Sequence, residues 1–297
     1  MNLHDYLHQN LQPSTVRNYY YEIQKFRSIN KNTEKYNYQK IMEYVAHLRK
    51  NYNPKSTNRA VAALKKYYQF LIETGKRKDN PTLSIKLRDS KEDPIQLQDL
   101  FTEKELELLL QPRKERYPIL EKRNKIILSL LVNQALKPGE IQQLKTNDID
   151  LEKAQIHIAK TGLTNSRILP LKAEQIFLLH QYLTKDRNEL KTLRNDKNAL
   201  LLGKLGTPIT TDDIHYLVST CKNSHPLEGC LKGGVVHKKL TSITIRQSVI
   251  TNLLAKNNNL RVVQEFAGHK HLDTTEKYKQ SGIKALQNAI QIHHPMK

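Results

Sequence analysis

Acidic residues and cysteines are both scarce in this 297-residue sequence, and no long apolar run and no internal repeat occurs in it. Only 29 Asp and Glu stand against 49 Lys and Arg, a formal charge of +20 that points to a polyanionic partner. The two cysteines, Cys221 and Cys230, cannot make a disulfide framework in a reducing compartment. Together with His225 and His237 they match none of the usual structural zinc spacings, so no metal and no cofactor is expected. No stretch approaches the roughly 20 apolar residues that cross a bilayer, which argues against a membrane partner. The opening MNLHDYLHQN lacks the basic and apolar parts of a secretory leader, and the expected location is the cytoplasm. What is present, 38% hydrophobic and 26% charged residues, is the composition of an ordered globular chain long enough for two domains.

Residues 14–75 carry three stretches of helical period. Val16, Ile23 and Phe26 mark the first, and Ile41, Met42, Val45 and Leu48 the second. Val61, Leu64, Tyr68 and Leu71 mark the third, which Gly75 can close in a left-handed conformation. The text LRDSKEDPIQLQDL, between Leu87 and Leu100, loses the period and reads as a linker. Thr102 and Glu105 then form a capping box that opens a helix near Phe101. Helices are predicted at 121–134, 138–145, 172–185, 210–222, 242–256 and 259–267, with Pro138 at a first helical position. Ile156 and Ile158, a turn in AKTGLTNS and the strand RILPL predict a β-hairpin over 154–171. The fold class is mainly α with a small antiparallel sheet.

NLRVVQEFAGHKHLDTTEKY holds a Gly268-His269 pair nine positions before Tyr278. With NPTLSIKL, KPGEIQQLKTNDID, the hairpin bearing Lys160, IRQSVITNLL and the final HHPMK, it resembles the tyrosine recombinase (phage integrase) family, most closely the bacterial Xer type. The resemblance implies an N-terminal helical core-binding domain over 1–86, a linker over 87–100, a catalytic domain over 101–281 and a protomer-docking tail over 282–297. It also implies site-specific recombination of double-stranded DNA through a 3′-phosphotyrosyl intermediate, with no metal or ATP. Tyr278 would be the nucleophile, Arg246 a phosphate clamp, Lys160 the general acid and His269 a donor to the phosphate. Fixed cationic donors suit such a reaction, because its transition state concentrates negative charge on the non-bridging oxygens.

The resemblance is incomplete at three positions. The family's first arginine follows Gly-Leu, whereas this chain reads Ala135, Leu136, Lys137, so a lysine would replace the planar fork of a guanidinium. Ile243 stands where a histidine usually lies three residues before Arg246, and Gln247 replaces a frequent histidine just after it. Lys137 is thus either an active replacement or a remnant of lost activity. The alternative function is a weakened relative that binds DNA as a sequence-specific or regulatory protein. An RNA-binding reading is weaker, since no RNP-like aromatic motif lies on a strand.

Lys65 and Lys66 beside Tyr67 and Tyr68, and the run from Arg113 through Lys114, Arg116, Lys122, Arg123 and Lys125, read as phosphate-contacting surface. In the tail, Ile283, Leu286 and Ile290 recur at helical spacing and predict an amphipathic helix over 282–292. By resemblance that helix docks on a neighbouring protomer, giving a tetramer on paired sites. The resemblance places the protein in a bacterial cytoplasm, on the nucleoid or a mobile element.

Overall fold

The computed structural model describes residues 2–30, 32–87, 95–191, 198–221, 238–256 and 259–279. The tail helix expected at 282–292, much of the linker, and His225, Cys230 and His237 lie outside the described residues. The chain divides into two compact units, Met1–Asp93 and Pro94–Lys297.

The first unit is four helices: α1 (Leu3–Asn10), α2 (Pro13–Arg27), α3 (Tyr38–Asn51) and α4 (Pro54–Glu73). Asn2, Asn37 and Asn53 each accept the backbone N–H three residues on, at 2.8, 3.0 and 2.8 Å, which caps α1, α3 and α4. Pro13 and Pro54 begin α2 and α4, where a missing N–H costs nothing. Val61, Leu64, Tyr68 and Leu71 form the buried stripe of α4, which packs on α1, α2 and α3. Beyond it Gly75 takes φ 70° while Lys76 N–H reaches back to the Leu71 carbonyl at 2.9 Å, a left-handed stop that only glycine adopts freely. Helix α1 was not expected from the sequence, because Leu3, Tyr6 and Leu7 supply barely more than one period.

The second unit is mainly helical with one three-stranded antiparallel sheet. Its helices are α5 (Glu103–Leu108), α6 (Glu121–Asn133), α7 (Pro138–Gln143), α8 (Ala173–Gln181), α9 (Arg187–Lys191), α10 (Thr211–Thr220), α11 (Ser242–Ala255), α12 (Leu260–Ala267) and α13 (Leu272–Glu276). The capping box of Thr102 and Glu105 opens α5 with both reciprocal bonds made, at 2.7 and 3.3 Å. The second half of helix α6, from Ile126 on, is apolar nearly all round, with Ile126, Ile127, Leu128, Leu130 and Leu131 buried, and the helix runs through the core against α8, α10 and α11. The expected hairpin is β2 (Gln155–Ile158) paired with β3 (Arg167–Pro170). A third strand, β1 (Ile149–Asp150), pairs with β2 and is too short to show alternation in sequence. The helix expected over 172–185 is α8, followed by a π-helical turn over Tyr182–Asp186 that leads into α9.

Candidate active site

Four of the five predicted site residues converge where three chain segments meet: the turn after α6, the middle of α11, and the stretch from the end of α12 through α13. Arg246 lies on the inward face of α11 between Ile245 and Val249 and is 6% exposed. Its Nη1 donates to the Ala135 carbonyl, just past the end of α6. Its Nη2 donates to the Ala267 carbonyl at 2.7 Å, at the end of α12, and to His269 Nε2 at 3.1 Å. Three of the five guanidinium N–H groups are thereby used, and two remain for an acceptor entering the site.

Because Arg246 is a donor only, His269 Nε2 accepts and Nδ1 carries the proton, donating to Thr275 Oγ1 at 2.9 Å. Burial, then the charges of Arg246, Lys137 and Arg167, pull the imidazole down to about 4, so it is neutral at pH 7. The Tyr278 ring stacks on His269 with centroids 5.9 Å apart and planes at 15°. Tyr278 stands just beyond α13, its N–H donating to the Thr275 carbonyl at 3.0 Å. Helix α13 is thus a single turn that presents Thr275 to the Nδ1 edge of His269 and is followed by Tyr278, whose ring stacks on the imidazole face.

The turn between α6 and α7 is strained at one residue. Ala135 sits at φ 50°, the left-handed region that costs a Cβ-bearing residue about 1–2 kcal/mol. That conformation aims its carbonyl at Arg246. Two residues on, Lys137 is half-buried, and burial followed by the Arg246 charge pulls its ammonium below the usual lysine value. The Lys137 N–H donates to Glu140 Oε2 at 2.9 Å, closing the first turn of α7.

Glu140 also joins an ion pair that sequence reasoning missed. Arg167 Nη1 and Nη2 donate to Glu140 Oε1 and Oε2 at 2.8 and 3.0 Å, a two-pronged bond between two buried side chains. Burial by itself would raise the Glu140 carboxyl, but Arg167, the Lys137 N–H and Arg246 hold it below the ordinary carboxylate range. Arg167 also fills the space beside Gly268, where a Cβ would come within 2.5 Å of Nη1. Gly268 at φ 69° ends α12, so both its backbone and the guanidinium beside it require glycine. The signal in sequence was an arginine at an inward position of RILPL, alternating with exposed Ile168. An inward arginine on a half-buried strand implies a buried acid.

Lys160 is exposed, two residues beyond β2, and no described contact joins its ammonium to the other four. Its turn is nonetheless fastened to the His269 segment. Asn165 N–H donates to the Gly268 carbonyl at 3.0 Å, Thr164 forms a β-bridge with His269, and Lys270 Nζ donates to the Gly162 carbonyl at 2.7 Å. Ile243 projects from the first turn of α11, 63% exposed, and Gln247 is half-buried. Taken together, the site sets Lys137, Arg167 and Arg246 around a single carboxylate, Glu140, with a neutral histidine and a tyrosine at its edge. Its electrostatics favour an anion, and among the described residues it carries the hydroxyls of Thr275 and Tyr278.

Solved structures of the same fold are those of DNA recombinases. The structure of XerH site-specific recombinase bound to palindromic difH substrate superposes with a TM-score of 0.70 at 21% identity, covering 96% of this chain and 81% of that one. The Tn1549 transposon integrase in complex with transposon right end DNA gives 0.65 at 17% identity, over 99% of each chain. The profile described as "Phage integrase family" matches residues 99–284, and "Phage integrase, N-terminal SAM-like domain" matches residues 3–75. The chain therefore belongs to the phage integrase family of tyrosine recombinases. Among curated relatives, "Tyrosine recombinase XerC" of Lactobacillus delbrueckii subsp. bulgaricus is 29% identical over 240 residues, 81% of this chain and 77% of that protein. "Tyrosine recombinase XerD" of Listeria innocua is 28% identical over 259 residues, 86% of this chain and 82% of that protein.

Proposed function

We propose that the protein is a site-specific DNA recombinase or integrase that cuts and rejoins strands through Tyr278. The observation that carries this reading is the convergence of Arg246, His269 and Tyr278, in which a buried guanidinium with two spare N–H groups lies beside a tyrosine. A scissile phosphate takes the two free donors of Arg246, and the Tyr278 hydroxyl attacks phosphorus in line with the departing 5′-oxygen, its proton passing to the neutral His269, whose Nε2 turns from Arg246 to take it. Lys160, carried by the turn clipped to the His269 segment, gives that oxygen its proton. With its Arg246 contact released, the resulting His269 imidazolium and Arg246 both donate to the phosphate and stabilise the transition state. The 3′-phosphotyrosyl bond conserves the energy of the phosphodiester, so resealing by a 5′-hydroxyl of the partner duplex needs neither ATP nor a metal.

Lys137 takes the first cationic position. Its half-buried ammonium supplies charge to the phosphate without the two-pronged grip of a guanidinium. We further propose that double-stranded DNA at a specific site is the partner, that four protomers assemble through the 282–292 segment, and that the work is done in a bacterial cytoplasm on the nucleoid or a mobile element. The DNA complexes of the XerH and Tn1549 proteins support the choice of partner. The substitutions at Lys137 and Ile243 favour a second reading, in which the protein binds its site and cleaves it poorly.

Incubation with a nicked suicide duplex carrying the site distinguishes the two. A covalent protein–DNA band that Tyr278→Phe abolishes is the expected result. Cleavage should rise in Lys137→Arg and fall about 10²-fold in Lys137→Ala, the loss typical of one transition-state donor. Tight binding without any band in wild type would leave the second reading standing.

A further inference from the structure

The far end of α6 holds a second concentration of buried cation, distinct from the candidate active site. Arg123 belongs to the first turn of α6, and Ala135 follows its last. Thirteen residues at 1.5 Å each separate the two ends by about 20 Å. Arg123 lines a cavity of about 430 Å³ together with Arg113, Arg116, Tyr117, Lys204 and Tyr216.

Arg123 is 7% exposed, and every group that accepts its hydrogen bonds is neutral, while Asp213 and Glu115 act on it only from a distance. Nη1 donates to the Leu202 carbonyl at 3.1 Å, while Nε and Nη2 donate to the Asn124 side-chain oxygen at 3.1 and 2.6 Å. Among the described residues, no carboxylate lies within ion-pairing distance of it. The two acids that border the cavity are committed elsewhere. Glu115 pairs with Arg113 at 2.7 Å, and Asp213 caps α10 by accepting from the Thr210 N–H at 2.9 Å and its hydroxyl at 2.6 Å. A guanidinium this buried is costly unless a countercharge meets it.

The rim adds more cation and two aromatic faces. Lys204 Nζ lies 4.0 Å from the Tyr117 ring centroid, and the Arg116 guanidinium carbon lies 5.4 Å from it. Tyr216, 64% exposed, offers a ring on the same cavity. Two tyrosines on a cationic pocket suit a phosphate attached to a flat base, because rings stack while guanidinium and ammonium donors hold the oxygens.

We propose that this cavity is a second phosphate site, filled by a phosphate bearing a nucleobase, whether from a free nucleotide or from a DNA strand beyond the cleavage centre. Isothermal titration of the full chain with inorganic pyrophosphate, with ADP and with adenosine tests it. Two classes of site are expected for pyrophosphate, one at the Arg246 cluster and one here. Lys204→Glu, a change at an exposed side chain, should weaken the second class about tenfold or more, as loss of one charged contact does, and leave the first unchanged. Arg123→Gln should remove the second class, and adenosine should not bind. Fluorescence anisotropy with a 30-base-pair duplex then separates the sources. Weaker duplex binding in Lys204→Glu identifies a DNA strand as the occupant, whereas unchanged duplex binding identifies a free nucleotide. An isotherm with one class of site, or two classes unaffected by Lys204→Glu, overturns the proposal.

Discussion

The two units bury different chemistry. Among the described residues of the first, the buried set is apolar and aromatic apart from three threonines and a single charged side chain, Glu22, which Arg59 meets at 2.9 Å from the edge. In the second, Arg123, Glu140, Arg167, Arg187, Arg246 and His269 are all less than one-tenth exposed. Burying apolar area is favourable wherever the side chain fits, at about 25 cal/mol per Å². Burying charge is favourable only where geometry supplies every partner, and often is a net cost. A unit that accumulates charge in its interior is accepting that cost for something other than stability, and here Glu140, Arg167, Arg246 and His269, four of those six groups, gather near Tyr278.

The sharpest test of this contrast sets one arginine in each unit against the other. Arg167→Ala strands Glu140 as an unpaired buried carboxylate and should cost about 3–5 kcal/mol by urea denaturation. Replacing both partners with apolar residues, Arg167→Met with Glu140→Leu, should recover most of that loss. Arg59→Ala, which removes a half-exposed partner, should cost within about 1 kcal/mol. Equal losses for Arg167→Ala and Arg59→Ala would erase the distinction between the units.

Gly268→Ala comes next. The left-handed backbone and the overlap with Arg167 should together cost about 2–4 kcal/mol, while Gly75→Ala, with open space around it, should show the backbone cost alone. A matching loss at both glycines would mean that the guanidinium yields freely.

The histidine makes the second unit acid-sensitive. His269 is held at about 4 against 6.5 when unfolded, so the unfolded chain takes up the proton first. Stability should therefore fall as pH drops from 6.5 towards 4, by up to about 2–3 kcal/mol from this group, and none of it is at stake above 6.5. His269→Gln, which keeps an acceptor for Arg246, should flatten that part of the profile. An unaltered pH profile would show that the proton is taken up elsewhere. The smallest effect is expected at Ala135, where Ala135→Gly relieves the positive φ and should raise stability by about 1 kcal/mol or less, read from the same denaturation curves.

Much of this was legible because it depends on local chemistry. Three of the helices of the first unit follow from periodicity, and Gly75 marks a helix end that requires left-handed backbone, whereas α1 is too short to show its period. The nearness of Gly268-His269 to Tyr278 could be read from spacing, since α13 is one turn and its ends are a few residues apart. Partners distant in sequence could not be read. Glu140 and Arg167 lie 27 positions apart, and nothing in KPGEIQQL or RILPL names the other. The Ala135 carbonyl that Arg246 holds is likewise a backbone atom 111 residues away, invisible to any pattern of side chains.

The turn that carries Lys160 is fixed in three places. Its two ends belong to the ladder between Ile158 and Arg167, and its middle is bound to Gly268 and Lys270. The span between Ile158 and Arg167 therefore has a required length, unlike an ordinary surface connection, which tolerates insertion. One added residue would swing Lys160 about the strand axis or release Asn165 from the Gly268 carbonyl. Drift in this segment should accordingly run through substitution at Leu163 or Ser166 and seldom through insertion or deletion. Any lineage that did change its length would have to rebuild the chain around Gly268 and His269 with it.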